Sequence, residues 1–256
     1  MAEICPRKCA KLSICVFILL VHQLNLDEGS LKMGAEQRKV LIRQIEEKRG
    51  SRVLCCLTSD REGMQGAIAK DFLYRFYLHL SKMKNLEKLD VFLFTLGGDT
   101  LAAYALSRLV RQYAKNVAIL VPHMCLSGGT LFALGADQIV MTKLGTLSAI
   151  DPSINGPLNP ISEATPQIGL PGQRVPIPVG VESVAGFKKL VADEWQLDEE
   201  GTSRAFSLLA EKVNPVLLGN LQRSKEQIVR LATSLMRLHV KPIDKEQIDT
   251  IVKTLV

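Results

Sequence analysis

Residues 93–156 read LFTLGGDTLAAYALSRLVRQYAKNVAILVPHMCLSGGTLFALGADQIVMTKLGTLSAIDPSING, and this stretch decides the fold. A β-rich run from Lys88 to Leu96 stops at Gly97-Gly98. The segment DTLAAYALSRLVRQYAK then opens on an Asp/Thr pair of the kind that caps a helix and continues at helical spacing. Asn116 to Pro122, NVAILVP, predicts a second strand of this series. After it comes Ser127-Gly128-Gly129, and the following GGTLFALGAD is apolar nearly all round, as a fully buried helix is. DQIVMT returns to a strand. Strands alternating with helices predict parallel crossover units, whose reactive groups gather at the carboxyl ends of the strands. Both glycine pairs fall at such ends.

Working outward, RVLCCL after Gly50 reads as the strand that begins this α/β core, with the charged helix EQRKVLIRQIEEKRGS ahead of it. AKDFLYRFYLHLSKM places Phe72, Phe76 and Leu80 on one helical face. Cys55 and Cys56 are read as small buried hydrophobes of the strand. From Asp151 to Gly180 the text turns dense in Pro and Gly and predicts a long loop without internal helix or strand, suited to a lid or a substrate-binding loop. The remainder is helical and is expected to pack on the core or to form subunit contacts. The expected organisation is a basic and apolar amino-terminal segment with its helix over 1–50, the core over 51–195 including loop 151–180, and a helical carboxyl-terminal region over 196–256.

The 256 residues are 47% hydrophobic, enough for one substantial domain and without the bias of a disordered chain. A net charge of +6 is spread among interleaved acidic residues, and aromatics are only 5%, which argues against nucleic acid as a partner. The six cysteines form neither paired CxxC motifs nor a secreted disulfide framework, so no metal and no cofactor is expected. Three basic residues, Arg7, Lys8 and Lys11, precede an apolar run from Leu12 to Val21. That run is too short to span a bilayer and lacks a following small-x-small cleavage site. Residues 12–21 are left as a peripheral membrane contact, a buried local segment, or an extension ahead of a later start at Met33. The location is correspondingly open between cytoplasmic and membrane-associated.

Ser127 lies between a strand and a buried helix, where free main-chain amides favour developing negative charge. It is expected both to cap that helix and to attack substrate. The turn at Gly97-Gly98 ends a neighbouring strand, so the N–H groups of Gly98 and Gly128 are expected to converge as an oxyanion hole.

The stretch quoted above resembles the serine dehydrogenase proteinase family of the Clp-peptidase/crotonase superfamily, which also contains signal peptide peptidase A. The resemblance is strongest over Leu93–Gly156 and continues through NPVLLGNLQRSKEQIVRLA. It implies a Clp-peptidase/crotonase-like spiral of ββα units, a homo-oligomer, a peptide or protein substrate, Ser127 as nucleophile, and Gly98 with Gly128 as oxyanion donors.

Clp peptidases place a histidine about two dozen residues after the serine, but that neighbourhood here holds Asp151, and the one later histidine is His239. Enzymes like signal peptide peptidase A use a lysine base, which requires burial to bring its pKa toward neutrality. Lys143, Lys188 and Lys189 are the candidates, and chain order favours Lys188, against the plain reading of Lys188 and Lys189 as solvated helix residues. Asp151, followed by Pro152, is read as pinning the loop. His123 and Cys125 are read as strand-end packing, with His123 also within reach of substrate. Two alternatives stay open: a non-catalytic scaffold or binding protein that keeps the fold, and a crotonase-type acyl-CoA enzyme. Against the second, no glutamate occurs between Leu101 and Leu158.

Overall fold

The computed structural model describes residues 34–61, 64–83, 85–163 and 174–256; the apolar run 12–21 lies outside the described residues. Alternation of strand and helix produces four parallel strands: β1 (Arg52–Leu57), β2 (Leu86–Phe94), β3 (Ala114–Val121) and, after the two-residue β4 (Met124–Cys125), β5 (Gln138–Met141). Their order is β1-β2-β3-β5, with Leu54 opposite Val91, Val91 opposite Ile119 and Ile119 opposite Ile139. Leu89, Val91, Leu93 and Ile119 are fully buried, as the interior of a parallel sheet covered by helices requires. Each such side chain removed from water contributes about 1.5–3 kcal/mol.

The helices of this part are α1 (Ala35–Arg49), α2 (Asp71–Leu80), α3 (Thr100–Tyr113) and α4 (Gly128–Ala133). Asp99 caps α3 by accepting the Ala102 N–H at 2.7 Å, as the Asp/Thr pair predicts. All six residues of α4 are buried. A second, shorter ladder runs beside the sheet. Past β2, Thr95 bridges Cys125; past β3, β4 pairs in parallel with β6 (Thr146–Leu147). A long strand, a short strand and a helix thus recur as a ββα unit, the expected α/β spiral, and a helical carboxyl-terminal region follows.

The chain divides into two units. The first holds the described residues up to Ser148 together with Ser234–Lys245. One carboxylate ties that late segment in. Asp137, at the foot of β5, accepts the N–H of Val117 at 2.8 Å and of Val240 at 2.7 Å and is paired with Arg111, whose guanidinium also donates to the Leu238 carbonyl. Next to these, His239 Nε2 meets the Leu134 carbonyl at 2.8 Å. Burial alone pushes the Asp137 carboxyl up, but the amides of Val240 and Val117 and the Arg111 guanidinium outweigh it and hold the group below its ordinary value.

The second unit comprises Ala149–Thr233 and Glu246–Val256. Its helices are α5 (Val181–Lys189), continued by a π-helical turn (Leu190–Glu194), α6 (Glu199–Lys212), most of α7 (Pro215–Met236) and α8 (Lys245–Leu255). Val181, Leu217 and Leu221 form one buried apolar cluster in it. Asp151 accepts the Glu182 N–H at 3.2 Å, in the first turn of α5.

Two expectations are corrected. The Pro- and Gly-rich segment is not free of strands: β7 (Ser153–Ile154) pairs with β10 (Val179–Gly180), and β8 (Ile161–Glu163) with β9 (Arg174–Pro176), both antiparallel. Buried Asn159 organises it, donating to the carbonyls of Ile154 at 2.6 Å and Ile177 at 2.7 Å and accepting the Gly156 N–H at 2.9 Å. Short edge ladders of this kind accommodate proline where a central strand does not. The other correction concerns the cysteine pair: Cys56 is buried, but Cys55 is exposed, because adjacent strand residues face opposite sides.

Because the Asp137 carboxyl is depressed in the folded state, its stabilisation is complete above the unfolded value of about 4 and fades as pH falls through the lower folded value. Asp137→Asn is expected to cost about 1–3 kcal/mol at pH 7. Thermal melts should show the gap between variant and wild type closing as pH is lowered below about 4.

Candidate active site

Ser127 joins β4 to α4 with φ 47° and ψ −111°. A left-handed φ on a residue with a β-carbon costs of order 1–3 kcal/mol and persists only where neighbours over-determine it. Here the Ser127 N–H donates to Ser148 Oγ at 2.7 Å, its carbonyl accepts the Leu131 N–H at 3.1 Å, and Gly129 N–H closes on the Leu126 carbonyl at 2.8 Å. Ser127 is half-buried. The expected cap is absent: the side chain makes no hydrogen bond to the helix end, since a cap needs an extended backbone and this one is turned the other way. Among the described residues no hydrogen bond engages the Ser127 hydroxyl.

The other glycine turn lies directly alongside. Gly97 and Gly98 adopt φ 113° and 142°, open to glycine and strained for any other residue. A β-carbon on Gly97 would stand 3.0 Å from Ser127 Cβ, and one on Gly128 would stand 2.9 Å from the Gly98 carbonyl oxygen. On its far side the turn is held by a strap through Ile68, whose N–H donates to the Gly97 carbonyl and whose carbonyl accepts the Asp99 N–H, each at 2.8 Å. Buried Thr95 locks it from within, accepting the Gly97 N–H at 3.0 Å and donating to the Gly97 carbonyl at 3.2 Å. Among the described residues neither the Gly98 nor the Gly128 N–H has a protein acceptor. Two unpaired amides therefore meet beside a half-buried serine, a geometry able to receive negative charge on a carbonyl oxygen.

The remaining sequence candidates are placed as follows. Cys125 is fully buried, and burial first, then Cys56, pushes its thiol up to about 12. His123 is exposed, its ring stacked at 6.0 Å from that of Phe94. Lys143, between β5 and β6, is exposed. Lys188 and Lys189 are exposed on the last turn of α5, in the second unit. Among the described residues no group of three His, Cys, Asp or Glu side chains is placed to hold a metal ion, and no helix is long and apolar enough to cross a membrane.

Residues 6–168 match the family model of the ClpP-like SDH-type serine proteinases. The chain belongs to that family. Two uncharacterized proteins of Methanocaldococcus jannaschii are similar to it. MJ1495 is 26% identical over 54% of this chain and 48% of its own, and MJ0137 is 36% identical over 26% of this chain and 23% of its own. The matches thus span about half or less of those relatives. Among solved structures, a serine-to-alanine mutant of a membrane-bound stomatin-specific protease aligns with TM-score 0.35 at 19% identity, covering 55% of this chain and 58% of that one. A lysine-to-alanine mutant of such a protease, in complex with a substrate peptide, aligns with TM-score 0.33 at 22% identity, covering 55% of each chain.

In this SDH-type chain, sequence reasoning missed Thr95, Ile68, Thr130 and Ser148. Thr95 carried a signal, since Thr two residues before glycine favours a side-chain-supported turn. Ile68 carried none, because its partners are main-chain atoms of a segment distant in sequence.

Gly98→Ala would set a methyl 2.2 Å from the Ile68 carbonyl oxygen on a backbone that disfavours it. It is expected to destabilise by about 3 kcal/mol or more, read as a fall in melting temperature. At pH 8 a thiol titrating near 12 is about one part in ten thousand thiolate, so iodoacetamide should leave Cys125 unmodified in native protein and alkylate it after denaturation.

Proposed function

We propose that this chain is a serine-type peptidase or amidase acting through a Ser127 acyl-enzyme. The observation that supports this most is the meeting of two glycine amides beside a serine, the amides and the serine hydroxyl all without a hydrogen-bond partner among the described residues. In this reading the Ser127 oxygen attacks the substrate carbonyl, and the hydroxyl proton passes to a base. The N–H groups of Gly98 and Gly128 hold the resulting oxyanion, each worth about a factor of 10²–10³ in rate. The base returns that proton to the nitrogen as the adduct collapses and the amine departs; water, deprotonated by the same base, then attacks the acyl group and releases the acid, with the proton going back to the Ser127 oxygen. A peptide or protein is the substrate, and the working form is a homo-oligomer, as the family resemblance implies.

Lys188 is carried forward as the base of a Ser-Lys dyad. Its exposed side chain, and that of Lys143, favour a second reading in which the fold is kept as a scaffold without a competent base.

A fluorophosphonate probe separates the two. Wild type is expected to be labelled on Ser127, Ser127→Ala to lose labelling entirely, and Lys188→Met to slow it at least tenfold if Lys188 takes the proton. Equal labelling of wild type and Ser127→Ala refutes the nucleophile assignment. A wild-type protein that neither labels nor cleaves casein supports the scaffold.

A further inference from the structure

Ser148, directly after β6, touches Ser127 through its hydroxyl, which accepts the Ser127 N–H at 2.7 Å. Its own main chain is fixed by Thr130, a fully buried residue of α4 whose hydroxyl lies 2.8 Å from the Ser148 carbonyl and 3.0 Å from the Cys125 carbonyl. That one hydroxyl joins the end of β4, the first turn of α4 and the segment leaving β6, three of the pieces of chain next to Ser127. The Ser148 oxygen is therefore delivered to the Ser127 amide by a supported frame.

Two consequences follow from where this bond lands. First, it restrains the one non-glycine residue of the site with a left-handed φ of 47°. Relaxation of that torsion to the ordinary negative range would swing the β-carbon and its hydroxyl away from the Gly97–Gly98 turn. Second, it occupies the amide of the nucleophile's own residue. A serine at such a turn has three nearby amides with which to meet an oxyanion, and this one is already spent.

We propose that Ser148 is the positioning residue of the site: it holds the Ser127 turn in its strained conformation and withdraws the Ser127 amide, so that the oxyanion is met by Gly98 and Gly128 alone. The inference rests on the acylation reading above and adds to it a residue that touches neither substrate nor leaving group.

The test pairs Ser148→Ala with Ser148→Thr, which keeps a hydroxyl acceptor. Two readouts are taken: the fluorophosphonate inactivation kinetics at Ser127, and residue-resolved hydrogen exchange of the Ser127 amide. Ser148→Ala is expected to lower the limiting inactivation rate about 10- to 100-fold with little change in the probe's half-saturating concentration, because misplacement of the nucleophile slows reaction rather than binding. The Ser127 amide should exchange at least tenfold faster, and Ser148→Thr should restore both. Wild-type labelling kinetics in Ser148→Ala, or an unchanged Ser127 exchange rate, overturns the proposal. A wild-type protein that resists the probe refutes the acylation reading instead; faster Ser127 exchange in Ser148→Ala would then still support the role of this bond in holding the turn. If Ser148→Ala does not fold, Ser148→Cys, a poorer acceptor, takes its place, and an intermediate loss on both readouts is the supporting result.

Discussion

Between the Ile68 strap and Gly128 there is no room for a β-carbon at position 98, and this steric constraint governs the site. A side chain there would meet the Ile68 carbonyl oxygen at 2.2 Å, and one at position 128 would meet the Gly98 carbonyl oxygen at 2.9 Å. Only bare main chain brings these three segments into van der Waals contact. Among the described residues, the amides at positions 98 and 128 are left without protein acceptors. The parallel sheet, extended by the bridge between Thr95 and Cys125, brings the turns that follow β2 and β4 side by side.

Energetic strain and order are placed together here. The left-handed Ser127 is tolerated because its N–H and carbonyl are both satisfied and the α4 residues that follow it are all buried. Its hydroxyl is the group left over. That a fully buried helix of six residues, GGTLFA, follows immediately adds a second restraint to the Ser148 bond: rotation would have to move packed side chains, among them Leu131 and Phe132.

The strand-glycine-helix recurrence over Leu93–Gly156 was sufficient to read the parallel crossover architecture, the two glycine turns, and the placement of Ser127 between strand and helix. Those features are local, written in hydrophobic period and in glycine. What escaped was contact between segments distant in sequence. Ile68 acts through main-chain atoms that any residue carries, and Ser148 through a hydroxyl typical of any exposed turn. The cap assigned to Ser127 failed because the preference for serine before a helix says nothing of the sign of φ. The short ladders of the Pro-rich segment escaped because Asn159, one side chain, supplies the bonds that a regular strand pattern would have advertised.

The Asp137 cluster carries an implication for biosynthesis. The first unit borrows Ser234–Lys245, and a single carboxylate receives the Val240 amide while its arginine partner reaches the Leu238 carbonyl. During translation, β1 through β5 emerge long before those residues exist. A nascent chain halted short of Leu238 holds an arginine and an aspartate still waiting for their final acceptor and donor, so the bonds that fasten this late segment to the sheet close only after Val240 has left the ribosome.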